Sequence, residues 1–82
     1  MTVYKVQLVA YKNLDLPYQK RLQRIEDLGD FDVEDVDSMG LKRMLIGDFD
    51  DFEKAVIAMK KIRVTSFKDA FIVKYVNGTR VK

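Results

Sequence analysis

The sequence predicts an α+β fold, a ferredoxin-like (RNP-like) two-layer sandwich of order β-α-β-β-α-β. In this fold two helices cover one face of a four-stranded antiparallel sheet. Three observations lead to it. Several segments alternate apolar and polar residues with the period of a strand, and two others place apolar residues at helical spacing. The two halves also repeat each other, since the pattern of Val6 and Leu8 recurs 38 positions later at Met44 and Ile46.

The first half contains the elements of one β-α-β unit. Val3 to Tyr11 alternates and is rich in β-branched and aromatic residues, which favours a strand. The next apolar residues fall at i, i+4, i+7 and i+10, which predicts a helix that ends at Gly29. Phe31 and Val33 predict a second strand, whose carboxylates are typical of a sheet edge. The helical stripe consists of Tyr18, Leu22, Ile25 and Leu28.

The second half repeats this order. The segment Leu41 to Phe49 predicts a third strand, with Asp50 and Glu53 as the capping residues of a second helix. Ala70 to Val76 predicts the last strand before an Asn77-Gly78 turn, and the residues after that turn form either a short strand or a frayed end. The stripe of the second helix consists of Phe52, Val56, Met59 and Ile62.

The sheet face that the helices leave uncovered is the candidate functional surface. Strand order 4-1-3-2 makes the first and third strands neighbours, so Gln7 and Val9 are expected beside Arg43 and Leu45 on this face, with Tyr11 at its rim. Ile72 is expected to join them, whereas the bulkier set of the last strand is assigned to the core: Phe71, Val73 and Tyr75. An amide and a guanidinium beside apolar surface suit an uncharged polyhydroxylated ligand. An ordinary half-exposed sheet, or one covered by another segment, remains the alternative.

Glycine at position 47 has two interpretations. It lies on the uncovered side of the third strand, where the lack of a side chain lets another group approach the backbone closely. It also marks a bulge or a strand end in many sheets. The pattern leaves both open.

Composition narrows the function. The 82 residues predict one domain, residues 1–82, and the chain has neither cysteine nor histidine, which excludes disulfides, thiolate chemistry and histidine-based catalysis. No apolar run is long enough to span a membrane. The net charge of +2 divides into +4 for residues 1–25, −9 for 26–53 and +7 for 54–82.

That charge distribution disfavours other binding classes. An RNA-binding module of the same fold needs aromatic residues on the central strands and a basic surround, whereas Asp30 to Asp37 place carboxylates at the adjacent edge. The acidic residues lack the spacing of an EF-hand calcium loop. We therefore expect no enzyme, no cofactor, no metal site and no nucleic-acid partner.

Three segments resemble the SPOR (sporulation-related repeat) domains of bacterial envelope proteins. Tyr4 to Tyr11 looks like the opening strand of that family, which reads hydrophobic-Gln-x-Gly-Ser-Phe. Arg43 to Phe49 is similar to the signature Arg-Val-x-x-Gly-Pro-Phe, with Asp48 in place of proline. Phe67 to Val73 is similar to the closing strand. The Gly-Ser pair of the family is Val9-Ala10 here, which removes a hydroxyl and adds bulk.

The resemblance implies binding to peptidoglycan, in particular to glycan strands stripped of their stem peptides at division septa. It implies no catalysis, a location in the periplasm or cell envelope within a larger protein, and possible partner proteins there, but no membrane insertion by this domain. A protein-interaction or regulatory domain without a glycan ligand is the alternative. The glycan-binding residues carried over are Gln7, Val9, Ala10, Tyr11, Arg43 and Leu45.

Overall fold

Five strands form one antiparallel sheet with neighbours in the order β2-β3-β1-β4-β5. The computed structural model of the protein describes residues 1–12, 22–36, 40–65 and 67–81. These residues include one complete α-helix, α1, which follows β3, and a 3₁₀ helix, which precedes β2; Leu22 and Gln23 are helical as well. The bounds are β1 Thr2–Tyr11, the 3₁₀ helix Glu26–Leu28, β2 Asp30–Asp35, β3 Lys42–Phe49, α1 Phe52–Arg63, β4 Phe71–Val76 and β5 Thr79–Val81.

The predicted strand order is confirmed, but the predicted count of four strands is wrong. The fifth strand exists because Asn77 and Gly78 form a two-residue hairpin turn with φ of 50° and 83°, the geometry that asparagine and glycine favour. The turn returns the chain along β4, so that Tyr75 pairs with Arg80. The segment after the turn is therefore a strand.

The helix layer differs from the predicted pair of helices. Most of the predicted first helix falls on residues 13–21, which lie outside the described residues. Its described end carries Leu22, Ile25 and Leu28, and these do pack into the core. The second predicted helix is confirmed as α1. Its cap is Asp51 and not Asp50, because an Asp51 carboxylate oxygen accepts the backbone N–H of Glu53 at 2.7 Å.

The main core lies between the sheet and α1. Strand residues of β1 and β3 meet the buried side of α1 there, and Ile62 is fully buried. The loop before β4 closes one end of this core with Phe67 and Ala70. The buried members of the core are Val6, Leu8, Ile25, Met44, Ile46, Ile62, Phe67 and Ala70.

Two bulges interrupt the pairing of β1 with β3. Tyr4 pairs with Phe49 and Val6 with Ile46, which leaves one extra residue in β3 near Gly47. A side chain at Gly47 would lie 3.0 Å from Cγ of Lys5, so the close approach that this glycine permits is to β1 itself. The second bulge adds one residue to β1 between Gln7 and Val9. Bulges bend strands and increase their twist, which accounts for a strongly curled sheet.

The second bulge also corrects the predicted sides of β1. Beyond it Val9 pairs with Met44, so Val9 and Tyr11 pack against the helix-side core and do not join Leu45 on the other face. A one-residue insertion exchanges the two faces of a strand. The alternation of the sequence contains no sign of this insertion, because Leu8 and Val9 are both apolar.

The sides predicted for β4 are wrong as well. Ile72 pairs with Val6 and packs into the helix-side core, whereas Phe71 pairs with Gln7. The three bulkier residues of β4 therefore lie on the face away from α1: Phe71, Val73 and Tyr75. Val73 and Tyr75 belong to a second, smaller core on that face, whereas Phe71 is exposed.

Candidate functional site

The sheet face away from α1, here called the open face, brings most of the predicted site residues together. Gln7 pairs with Leu45 on one side and Phe71 on the other, and Ala10 pairs with Arg43. Because directly paired residues share a face, these side chains belong to one surface. The open face consists of Val3, Lys5, Gln7, Ala10, Asp32, Glu34, Arg43, Leu45, Phe71, Val73, Tyr75 and Arg80.

A small apolar cluster lies at the centre of the open face. Leu45 is 0% exposed and packs with Val73 and Tyr75, both buried, and with Val3. Its burial removes it from contact with solvent, although the sequence predicts it as part of an apolar binding platform. Leu45 is positioned as a support beneath the surface.

Tyr75 closes the curl of the sheet over this cluster. Its hydroxyl donates a hydrogen bond to the carboxylate of Glu34, although Tyr75 is on β4 and Glu34 is on β2 at the opposite edge. Two other strands separate them, which in a flat sheet amounts to about 14 Å at about 4.8 Å per strand. The contact is possible because the sheet curls. Burial, followed by the Glu34 hydrogen bond and charge, raises the pKa of Tyr75 and keeps the phenol neutral.

Lys5 forms the polar cover over one end of the cluster. Its ammonium lies 5.0 Å from the centre of the Tyr75 ring, donates to Asp32 and lies 3.4 Å from a carboxylate oxygen of Asp48. Burial alone would lower the pKa of Lys5, but the two carboxylates raise it overall. The hydrogen bond from Lys5 in turn lowers the pKa of Asp32. This end of the open face is therefore internally paired.

Arg80 covers the other end. Its Nη2 donates to the side-chain oxygen of Gln7 at 2.8 Å, and Gln7 is only 9% exposed. The side chain of Gln7, which the sequence predicts as a ligand contact, therefore already accepts a hydrogen bond from Arg80 through its amide oxygen. Arg80 does not engage the amide nitrogen of Gln7.

The accessible part of the open face differs from the predicted site. Ala10 is exposed, Arg43 is half-buried, and Phe71 is 43% exposed. Sequence reasoning missed Phe71 and Arg80. The Asn77-Gly78 turn was the signal for Arg80, because a tight hairpin places the residues after it beside β4. No decisive signal pointed to Phe71, because apolar residues occur in both alternating sets of β4.

Phe71 and Arg43 also border a groove of about 720 Å³ beside Phe71 to Val73 of β4. The outer side of this stretch pairs with no strand of the described residues and is here called the free edge of β4. Its wall includes consecutive residues of β4 from Phe71 to Lys74, together with Arg80 and Val81 of β5. Tyr4, which pairs with Lys74, also lines it together with Phe52, and the two rings stack edge to face at 5.5 Å. The groove thus continues from the open face around the edge of the sheet.

The described residues carry neither a cluster of metal ligands nor a membrane-spanning helix. They contain no group of three or more acidic, histidine or cysteine side chains arranged to hold a metal ion. None of their helices is long and apolar enough to cross a membrane.

Comparison with protein families identifies one match. The model of the SPOR domain matches residues 1–74, which include β1, β2, β3 and α1 and end within β4. Arg80 and the rest of β5 lie beyond the matched residues. Neither curated proteins nor solved structures give a match to the chain.

The match covers most of the 82 residues and the elements that form the open face. The SPOR family consists of generally non-catalytic binding modules that occur in envelope-associated bacterial proteins and are known for binding peptidoglycan. The chain belongs to the SPOR domain family.

Proposed function

We propose that this domain binds the glycan strands of peptidoglycan, with preference for strands stripped of stem peptides, on its open face. In this role it directs a parent protein to the cell wall or the division septum within the periplasm. The observation that carries the proposal is the SPOR family match over residues 1–74. The residue types on the accessible open face support it.

The supporting chemistry is a combination of donors and apolar surface. Arg43 and the amide of Gln7 provide N–H donors for sugar hydroxyl and acetamido oxygens. The exposed ring of Phe71 provides a flat apolar surface for the C–H face of a sugar. Ala10, exposed between them and paired with Arg43, leaves room for a ring to approach.

Two of the sequence-derived contacts change role in this proposal. Val9 and Tyr11 pack on the helix side, so they hold β1 in place while Ala10 faces the ligand. Leu45, being buried, supports Gln7 from the neighbouring strand. We propose Gln7, Ala10 and Arg43 as the contacts retained from the sequence, and Phe71 as the added one.

The test is retention of the purified domain on peptidoglycan sacculi with and without amidase treatment, which removes the stem peptides. We expect retention to rise after treatment and to fall to background in the double variant Gln7→Ala, Arg43→Ala. The matched control is Gln23→Ala with Arg24→Ala, which removes the same groups at exposed positions away from the sheet. Circular dichroism melting of all variants separates loss of binding from loss of fold.

Retention that does not depend on amidase treatment would contradict the preference for stripped glycan strands. Retention that survives the double substitution would contradict the assignment of Gln7 and Arg43 to the site. A second readout is salt. Hydrogen bonds to uncharged sugar depend weakly on ionic strength, so retention is expected to change little between low and high salt. A steep decline would show that charge pairing, and not sugar recognition, holds the domain on the sacculi.

A further inference from the structure

We propose that the groove at the free edge of β4 binds a short extended peptide segment with carboxylate side chains. The proposal does not rest on glycan binding. The first observation is the edge itself. β5 pairs only with Lys74 to Val76 of β4, and before the strand Arg63 Nε donates to the carbonyl of Ala70 at 2.8 Å. Between these two contacts the outer edge from Phe71 to Val73 has no paired strand in the described chain.

The backbone of Ile72 is the group that this edge presents. In a hairpin with a two-residue turn the flanking residues, Val76 and Thr79, exchange two hydrogen bonds, and outward groups recur at every second residue. Lys74 is the next outward residue and Ile72 the one after it. An unpaired N–H and C=O at a strand edge form a template for an added strand.

The groove is lined from both faces of the sheet at this edge. Phe71 and Val73 approach from the open face, whereas Ile72 and Lys74 approach from the helix side. Side chains of an added strand alternate between the two faces, so an extended peptide contacts both walls at once. A sugar ring stacked on one face does not.

The charges in the groove select the peptide. Arg43, Lys74 and Arg80 line it, and no acidic side chain of the described chain does. Arg80 adds a more specific sign, because its Nη1 is buried without a hydrogen-bond partner in the described chain while Nη2 is held by Gln7. A buried guanidinium nitrogen without an acceptor is unfavourable. A carboxylate is the acceptor that matches its charge and geometry.

The remaining wall is apolar. Phe52 is 52% exposed and Val81 is 42% exposed, and both contribute to the groove with Tyr4. A segment in which acidic and apolar residues alternate would place its carboxylates on the open face, beside Arg43 and Arg80, and its apolar side chains against this wall on the helix side, where Lys74 adds a nearby positive charge. The free edge is short, so these side-chain contacts carry most of the expected affinity.

The test uses a capped probe peptide, acetyl-Glu-Val-Glu-Thr-Glu-Val-amide, titrated into the ¹⁵N-labelled protein and followed by NMR. We expect saturable shifts centred on the amides of Ile72 and Val73 and on the side-chain resonances of Arg80. Two control peptides isolate the two parts of the proposal. One replaces each glutamate with glutamine, and the other carries N-methyl groups at alternate positions so that it cannot pair with a strand edge.

One pair of protein variants completes the test. Lys74→Glu reverses an exposed cation inside the groove, and Lys60→Glu makes the same change on α1 outside it. We expect Lys74→Glu to weaken the acidic peptide by roughly threefold to tenfold and Lys60→Glu to leave it nearly unchanged. Equal binding of the glutamine or N-methyl peptide, or equal effects of the two substitutions, would overturn the proposal.

The test also distinguishes the groove from the glycan site. Lys74 lies on the opposite face from Gln7 and Ala10, so Lys74→Glu is expected to reduce peptide binding and to leave retention on sacculi intact. A carboxylated saccharide is titrated in the same way. If it shifts the amides of Ile72 and Val73 saturably and the peptide does not, the groove binds carbohydrate and the peptide proposal is wrong.

Discussion

Replacing Tyr75 with phenylalanine tests whether its hydrogen bond to Glu34 holds the curled sheet closed. The substitution keeps the ring that packs on Leu45 and Val73 and removes only the hydroxyl. A hydrogen bond to a charged group contributes about 1.5–3 kcal/mol. Glu34 is partly exposed and regains water once the hydroxyl is lost, so the lower figure of about 1.5 kcal/mol applies. For a domain of this size that corresponds to a decrease in Tm of roughly 6–12 °C.

The matched control is Tyr4→Phe. The Tyr4 ring packs against Phe52, and the Tyr4 hydroxyl does not bridge strands of the described sheet as that of Tyr75 does, so its loss is expected to leave the Tm nearly unchanged. The assay is thermal and urea unfolding of the three proteins at neutral pH, followed by circular dichroism. If Tyr75→Phe and Tyr4→Phe behave alike, the contact with Glu34 does not stabilise the curl and the reasoning fails.

The pH dependence of stability provides a second, independent test of the Tyr75 hydrogen bond. Because the pKa of Tyr75 is raised in the folded state, its contribution to stability is fully present below the unfolded tyrosine pKa of about 10 and is lost as the pH rises above it. Wild type is therefore expected to lose stability above about pH 10 faster than Tyr75→Phe does. The difference between the two proteins should be constant from neutral pH up to that point and then decrease.

Two further predictions concern capping and the ion pair at Lys5. Asp51→Ala is expected to lower the free energy of unfolding by about 1 kcal/mol, because Asp51 accepts the backbone N–H of Glu53. Asp50→Ala removes an exposed ion pair with Lys54 and is expected to lower it much less. Equal decreases in urea unfolding would show that Asp51 is not the cap. Asp32→Asn is expected to lower stability slightly at neutral pH. Because the pKa of Asp32 is lowered in the folded state, the difference in stability from wild type should disappear as the pH falls through that pKa. A difference that persists in strong acid would exclude the ion pair with Lys5 as its cause.

The sequence predicted the order of the elements well because each signal was local. Period-two alternation identified β1 and β3, helical spacing identified α1, and the repeat between the halves fixed the strand order. The Asn77-Gly78 pair announced a turn. It does not predict how far the chain pairs back along β4, which here extends over three residue pairs, from Val76–Thr79 to Lys74–Val81.

The sides of the strands were harder to predict because they depend on register. One bulge after Gln7 transfers Val9 to the helix side and Ala10 to the open face. Both Leu8 and Val9 are apolar, so neither resists burial and the pattern does not show which of them is the extra residue. In β4, apolar residues occupy both sides, since one set packs with α1 and the other with Leu45. When both faces of a strand carry apolar residues, the alternation of polar and apolar residues does not show which side chains lie on which face of the sheet.

The burial of Leu45 shows why residue type alone did not define the binding surface. An apolar residue on an uncovered sheet face predicts an exposed platform only if the sheet stays flat. Here the curl brings Tyr75 to Glu34, and β5 brings Arg80 to Gln7, so side chains from both edges cover the centre. The accessible groups move outward to Ala10, Arg43 and Phe71.

This cover has a consequence for how a SPOR sheet can engage a ligand in this protein. Arg80 lies beyond the residues that match the family, yet it binds the side chain of Gln7 at the centre of the open face. A glycan that uses the oxygen of Gln7 must first displace Arg80, whereas one that uses the amide nitrogen need not. In the proposed peptide site, a carboxylate at the β4 edge would engage the same guanidinium through Nη1, which has no hydrogen-bond partner among the described residues. Arg80 thus connects the two proposed sites, because its position determines both how much of Gln7 is available to a sugar and how the cationic groove is formed.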